Sequence, residues 1–171
     1  MEIVNMRRLI ATIMLIFHVH GLLQEKNLSL IETTCRHTQN YKLCIHTLLA
    51  NRGSIHANET GLGLIMVDAV KAKAKETLYQ IYKLKAFRPK MRAALNQCTI
   101  QYKLILEIDV PVAVDSLNKG VPQYARDNMA DSSLQAVFCE GNFHGESPIT
   151  QLTNEVRDLC IVARDVIPVY L

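Results

Sequence analysis

The chain has 171 residues, enough for one domain, and 49% of them are hydrophobic, which excludes an intrinsically disordered chain. Its formal net charge is only +3, it has no Trp, and 6% of its residues are aromatic. A nucleic-acid-binding protein is therefore not expected, because such proteins need a strongly basic surface and rings that stack on bases.

The first 21 residues have the pattern of a cleavable signal peptide. Arg7 and Arg8 precede the apolar run Leu9–Val19, and the small residue Gly21 follows shortly after it. The run has about 11 residues, whereas a membrane-spanning helix needs about 20. We therefore expect residues 1–21 to be removed on secretion and residues 22–171 to form the mature domain, with no membrane segment left.

Two sequons fit a secretory route. They are Asn27-Leu28-Ser29 and Asn58-Glu59-Thr60, and they predict N-linked glycans on Asn27 and Asn58.

Helical spacing of apolar residues recurs through the mature chain, whereas the alternation typical of strands is nearly absent. Two short helical segments are predicted over about residues 28–38 and 41–51, with Asn40 in the turn between them. Four longer segments follow, and the stretch "KGVPQYARDNMA", Lys119–Ala130, lies between the second and the third. The pattern predicts an all-α fold, with an N-terminal helical hairpin (about 28–52) on an up-and-down four-helix bundle (about 60–171).

The ends and inward faces of the four long helices can be predicted in more detail. Thr60 is expected to cap the first, and Ser147 the last, with Pro148 as its first helical residue. Pro111 predicts a kink or a short break in the second, because proline removes one hydrogen bond and clashes with the preceding turn. The residues expected to face the core are Met66, Val70, Ala74, Ile81 and Leu84; Met91, Leu95, Cys98, Tyr102, Ile105 and Val112; Ala125, Met129, Ser132, Ala136, Cys139 and Phe143; and Leu152, Val156, Leu159, Ala163 and Ile167.

Five cysteines in a secreted chain predict disulfides, although the count alone leaves the pairing open. Cys35 and Cys44 flank the turn of the predicted hairpin, so a bond between them would join its two arms. Cys98 and Cys139 lie on the inward faces of the second and third long helices. Cys160 is left over, and we expect it to be a buried, inert thiol rather than a reactive one.

The residue patterns of enzymes are missing. There is no His-Glu-x-x-His motif, no Gly-x-Ser-x-Gly motif and no Gly-rich phosphate loop, and the histidines of the mature chain lack metal-ligand spacing. We therefore expect neither an enzyme nor a metal or other cofactor.

Three stretches carry a family resemblance: "IETTCRHTQNYKLCIHTLL", "LGLIMVDAVKAKA" and "CTIQYKLILEIDVPVAVDSLNKG". In this order they resemble the plant invertase and pectin methylesterase inhibitor family, from about Ile31 to the C-terminus. The subgroup they most resemble is that of the cell-wall inhibitors of β-fructosidase. The resemblance implies a helical hairpin on a four-helix bundle, and it implies the pairs Cys35–Cys44 and Cys98–Cys139.

The resemblance also implies a mechanism. In this subgroup a Pro-Lys-Phe motif lies on the loop that enters the third bundle helix, and it inserts into the sucrose-binding cleft of acid invertase. There the Lys pairs with the catalytic carboxylates, and the Phe ring occupies the position of a sugar unit. The matching positions are Pro122, Gln123 and Tyr124. A neutral Gln in place of Lys should weaken the contact, because charge-assisted hydrogen bonds are roughly twice as strong as neutral ones.

Two further departures lie beside the motif. Relatives tend to have a capping Asp where Val121 stands, and Val cannot cap a helix. Relatives tend to have an acidic residue where Arg126 stands, and Arg126 would share a helix face with Gln123. We hypothesise that Arg126 supplies the missing positive charge to the enzyme. The alternative is that Arg126 and Asp127 form a solvated charge pair.

The resemblance leaves three functions to be weighed. The first is a secreted inhibitor that forms a 1:1 complex with acid invertase in the apoplast or cell wall, with the vacuole as the alternative destination. The second is an inhibitor of pectin methylesterase, for which relatives use mainly the bundle helices. The third is a disulfide-bonded bundle that inhibits nothing.

Overall fold

Seven α-helices account for most of the chain that the computed structural model describes, namely residues 12–16, 19 and 28–169. No strand occurs in these ranges, so the predicted all-α fold is confirmed. Asn27 and most of the predicted signal peptide lie outside them. The helices are α1 (described over 28–36), α2 (Tyr41–Ala50), α3 (Glu59–Phe87), α4 (Arg92–Leu104), α5 (Val110–Asn118), α6 (Pro122–Gly141) and α7 (Thr150–Val166).

The N-terminal hairpin consists of α1 and α2. Asn40 caps α2, because its side-chain oxygen accepts a hydrogen bond from the backbone N–H of Leu43 at 3.1 Å. The predicted disulfide joins Cys35 to Cys44 across the turn, with 5.5 Å between their Cα atoms. The backbone N–H of Gln39 donates to a carboxylate oxygen of Asp165 at 3.2 Å, which ties the turn to α7.

The N-cap of the long helix α3 lies two residues before the predicted one. Asn58, not Thr60, is the N-cap, and its Oδ1 accepts from the backbone N–H of Gly61 at 2.9 Å. Thr60 lies inside the first turn because Asn58 provides the cap before it. A glycan on Asn58 would be attached to Nδ2, which the cap leaves free, so the predicted modification of this exposed residue is compatible with the fold.

The second bundle helix is a composite of α4, a π-helical turn over Ile105–Asp109, and α5. Pro111 lies in the first turn of α5, directly after this irregular turn. The prediction that Val112 faces the core was wrong. A π-turn adds one residue to the helix and shifts the later phase by one position, so Val110 and Ala113 are buried and Val112 is exposed.

The core lies between the four bundle helices and is closed by a second disulfide. Cys98 of α4 is bonded to Cys139 of α6, as predicted, with 4.4 Å between their Cα atoms. Every residue predicted to face inward from α6 is buried. The free thiol of Cys160 is buried as well, as expected, and burial raises its pKa above its ordinary value, which favours the unreactive thiol form.

The start of α7 differs from the prediction. The helix begins at Thr150, and neither Ser147 nor Pro148 belongs to it. The Ser147 hydroxyl accepts from the backbone N–H of Ile149 at 3.2 Å, so it stabilises the turn before the helix. Within the first turn, the hydroxyls of Thr150 and Thr153 both donate to the carboxylate of Glu140 on α6.

Within the described part of the chain, no helix is both long and apolar enough to cross a bilayer.

Candidate functional site

The candidate site is mounted on the turn that joins α5 to α6. Gly120 takes the left-handed conformation, with φ 72°, that ends many helices. Its N–H donates to the carbonyl of Leu117 at 3.2 Å, and the N–H of Val121 donates to the carbonyl of Ser116 at 3.0 Å. These two bonds form a Schellman motif, so the backbone that leads into α6 is held to α5.

Pro122 is the first residue of α6 and is buried. Proline suits this position because it has no N–H to leave unpaired and its φ angle is already helical. Val121 makes no side-chain cap, as expected for an apolar residue. The structure thus gives Pro122 a positioning role and leaves the next two side chains to face outward.

Gln123 and Tyr124 are the exposed members of the motif. The Tyr124 ring is 62% exposed on the first turn of a 20-residue helix. The side-chain amide of Gln123 donates to Oδ1 of Asp127 at 2.8 Å, one helical turn further on. A large ring and a polar amide therefore lie side by side on a fixed backbone, with the Asp127 carboxylate next to them.

Arg126 does not lie on this outward surface. Its Nη1 donates to the backbone carbonyls of Arg164 and Ile167, at 2.8 and 2.7 Å, and so caps the C-terminus of α7. The alternative, a solvated pair between Arg126 and Asp127, does not form, because each side chain has another partner. A role for the Arg126 charge in binding would require the side chain to give up both bonds.

Replacing Arg126 with Ala is expected to lower the free energy of unfolding by about 1.5–3 kcal/mol, the typical value for hydrogen bonds to a charged group. Thermal unfolding of the purified protein would measure this. Asp127→Ala is the control, since Asp127 is exposed and should change stability little. Equal stability of the Arg126→Ala variant and the parent would show that the two carbonyl contacts do not stabilise α7.

A buried carboxyl that the sequence analysis missed lies between the second bundle helix and α6. Asp109, in the π-turn, is buried and accepts a hydrogen bond from the hydroxyl of Ser132 on α6 at 3.0 Å. Burial raises the pKa of Asp109 to about 6, the Ser132 bond opposes the rise, and the nearby charge of Asp131 adds to it. The sequence could have indicated this buried carboxyl, because Asp109 lies one helical turn after the predicted core residue Ile105.

A large cleft on the described surface lies elsewhere. It has a volume of about 1000 Å³ and separates α2 from α3 and α7. Lys73 lies at this cleft and pairs with Glu76 at 2.8 Å and with Glu155 at 3.0 Å. None of the motif residues lines it, so the candidate site is a projection of the surface and not a pocket. The described residues also hold no group of acidic, His or Cys side chains suited to a metal ion.

A family model described as "Plant invertase/pectin methylesterase inhibitor" matches residues 29–166. The chain therefore belongs to the plant invertase and pectin methylesterase inhibitor family, as its sequence predicted. It is 38% identical over 136 residues to the cell wall / vacuolar inhibitor of fructosidase 1 of Arabidopsis thaliana. The match covers 80% of this chain and 66% of that relative, so the chain spans just under two thirds of the relative's length.

Solved structures show the same fold. A crystal structure of mutant form A of a pectin methylesterase inhibitor from Arabidopsis superposes with a TM-score of 0.72 at 18% identity, covering 82% of this chain and 97% of that one. A second crystal structure of a pectin methylesterase inhibitor from Arabidopsis thaliana gives 0.59 at 19% identity, with the same coverage. At such low sequence identities the similarity shows a shared fold and does not indicate which enzyme this chain inhibits.

Proposed function

We propose that this chain is a secreted inhibitor of plant acid invertase (β-fructofuranosidase) and that it occludes the sucrose-binding cleft with Pro122, Gln123 and Tyr124. The observation that carries the proposal is the exposed Tyr124 ring on the rigid first turn of α6. An exposed aromatic on a fixed backbone loses little conformational entropy on binding, so it is well suited to fill a cleft. The Arabidopsis relative is named as an inhibitor of fructosidase, which supports the same target.

Each motif residue has a distinct part in the proposed complex. Pro122 fixes the start of the helix, and the Tyr124 ring enters the space of a sugar. A Gln amide carries two N–H donors, and only one of them is directed to Asp127. The second N–H of Gln123 is therefore free to donate to a carboxylate of the enzyme. The Asp127 charge opposes binding to an acidic cleft, and the Arg126 charge is held at the end of α7.

The complex is proposed to hold one inhibitor for each enzyme molecule, because a single loop fills a single cleft. The proposed compartment is the apoplast or cell wall, with the vacuole as the alternative. The name of the Arabidopsis relative includes both the cell wall and the vacuole.

Inhibition of pectin methylesterase is the second candidate, and one observation favours it. Large apolar side chains are exposed at four-residue spacing along the second bundle helix, at Ile100, Leu104, Ile108 and Val112. The π-turn keeps this row on one side of the helix. An apolar row on a bundle helix fits the mode in which relatives contact that enzyme.

Replacing Tyr124 with Ala is expected to weaken invertase inhibition by about thirtyfold, because a central aromatic anchor typically contributes 2 kcal/mol or more. The inhibition constant against a purified acid invertase would measure the loss. Tyr79→Ala is a matched control, since Tyr79 is 61% exposed but lies on α3. An unchanged constant for the Tyr124 variant, or an equal loss for both variants, would contradict the proposed contact.

Replacing Gln123 with Lys is expected to tighten inhibition by about five- to tenfold. A charge-assisted bond to the enzyme's carboxylates would replace a neutral one. The gain should shrink as salt is added, because screening weakens charge pairs. The Gln123→Glu variant has a side chain of the same length and the opposite charge, and it should inhibit less well than the parent.

A further inference from the structure

The charged residues are distributed very unevenly along the chain. Residues 69–106 contain nine of the 19 Lys and Arg residues but only one of the 16 acidic residues, Glu76. This segment alone has a formal charge of +8, whereas the whole chain has +3, so the remainder is net acidic. The small total charge therefore conceals a strongly basic region on α3 and α4.

We refer to eight of these cations as the basic face. Lys71, Lys75, Lys83 and Lys85 lie on α3, Arg88 and Lys90 lie between α3 and α4, and Arg92 and Lys103 lie on α4.

On α3 the basic face is extended along the helix. Lys71, Lys75, Tyr79 and Lys83 follow one another at four-residue spacing, which places them in a row on the helix surface. The row is about 18 Å long at 1.5 Å per residue. It leads to the corner between α3 and α4, where the side chain of Phe87 is 77% exposed beside three further cations.

The cations of the basic face have no acidic partner among the described residues. None of the eight forms an ion pair there, whereas Lys73, their neighbour in sequence, is paired with two glutamates. Like charges on one surface repel one another, and no acidic side chain of the described residues pairs with these eight. A ligand that carries regularly spaced negative charges would relieve this repulsion.

Exposed aromatic rings are interleaved with the cations. The ammonium group of Lys83 lies 5.4 Å from the centroid of the Tyr79 ring, and that of Lys85 lies 5.5 Å from the centroid of the Tyr82 ring. Each pair combines a ring and a charge at one position. A uronic acid unit matches this combination, because its pyranose ring offers a C–H face to an aromatic ring and its carboxylate pairs with an ammonium.

The disulfides restrict which polyanions the protein can meet. Two disulfides are typical of an oxidising, extracytoplasmic compartment. Nucleic acids lie in other compartments, and anionic lipids are concentrated in the cytoplasmic leaflet of the membrane. Acidic polysaccharides are the polyanions that remain.

We propose that the basic face is a binding site for an acidic polysaccharide built from uronic acid units. It extends from Lys71, in the middle of α3, to the corner between α3 and α4, which is the end of the bundle opposite to Tyr124. A Cβ built at Gly63, near the start of α3, would lie 3.2 Å from Ile167 and 3.6 Å from Leu117, so the turn after α5 lies at that end of α3. The helix has 29 residues and is about 44 Å long. The protein can therefore hold a polysaccharide at one end and present Tyr124 at the other.

Binding of the mature protein to unesterified polygalacturonate at low salt tests the proposal, with fully methyl-esterified polymer as the uncharged control. The triple variant Lys75→Gln, Lys83→Gln and Arg88→Gln is expected to bind the acid polymer at least tenfold more weakly. The matched control removes the same charge from exposed positions of the hairpin and the segment that follows it, by Arg36→Gln, Lys42→Gln and Arg52→Gln, and should change affinity less than threefold.

The single variant Tyr79→Ala is expected to weaken polymer binding about fivefold, and Tyr124→Ala should leave it unchanged. Equal losses in the two triple variants would overturn the proposal, since net charge alone would then explain the binding. Equal binding of the esterified polymer would also overturn it. Tighter binding of duplex DNA or of phosphatidylglycerol vesicles than of polygalacturonate would assign the face to a different polyanion and overturn the polysaccharide assignment.

Discussion

Replacing Asp109 with Asn is expected to raise the free energy of unfolding above pH 6 by about 3 kcal/mol. The buried carboxyl of Asp109 has a pKa of about 6, against 3.8 for the same group in water. A difference of this size corresponds to about 3 kcal/mol, since each pKa unit is worth 1.36 kcal/mol. Asparagine is neutral at every pH and can still bond to the Ser132 hydroxyl, so the variant avoids placing a charge in the core.

The direction of this pH dependence of stability follows from proton binding. The folded protein holds the Asp109 proton more tightly than the unfolded chain, so this group stabilises the fold at low pH. Its contribution is lost as the pH rises from about 4 to about 6. At about pH 5 most Asp109 carboxyls are protonated, so an acidic compartment keeps the core of the bundle neutral.

Urea denaturation between pH 4 and pH 8 would test the role of Asp109. The parent should lose stability over this range, and Asp109→Asn should remove most of that slope. Asp131→Asn is the matched control, because Asp131 is an exposed neighbour on α6 whose charge only adds to the effect. The same slope in the parent and the Asp109 variant would contradict the assignment.

Replacing both Cys98 and Cys139 with Ser is expected to lower the free energy of unfolding by about 4 kcal/mol. The bond closes a loop with a sequence separation of 41, and the entropy of the unfolded chain rises when so long a loop is opened. For a protein of this size the loss corresponds to a fall in Tm of about 8–16 °C. Inhibition below the new Tm should persist, because Cys139 lies at the opposite end of α6 from Tyr124.

The hairpin disulfide provides the comparison. Cys35 and Cys44 have a sequence separation of only 9, and the same reasoning gives about 2.7 kcal/mol for the loss of their bond. Differential scanning calorimetry of the two double variants would rank the bonds. A larger loss for the hairpin pair than for the bundle pair would contradict the loop-length argument.

The sequence predicted most of the bundle because the buried residues of its helices recur at helical spacing. On α6 and in the turn after it, the residues at three- and four-residue spacing from Ala125 to Phe143 are all buried, as the periodicity required. The error at Val112 came from the π-turn, whose extra residue changes the phase without a distinct local signal. The error at Thr60 arose because Asn58, two residues earlier, is a better cap than Thr.

The candidate site was located from its motif, but the roles within it needed the tertiary structure. Helical spacing placed Arg126 near Gln123, yet only the fold brings Arg126 to the carbonyls of residues 164 and 167, which are distant in sequence. The basic face was overlooked for a different reason. The total charge is the sum over a basic segment and an acidic remainder. Because these largely cancel, the total does not reveal the basic segment.

The most direct test of the central proposal is a titration of the mature protein against a purified acid invertase and a purified pectin methylesterase at about pH 5. The proposed function predicts a loss of invertase activity that is complete at one inhibitor per enzyme, with esterase activity unchanged. Loss of esterase activity alone would contradict it in favour of the bundle-helix mode. No loss of either activity would show that the chain does not inhibit these enzymes.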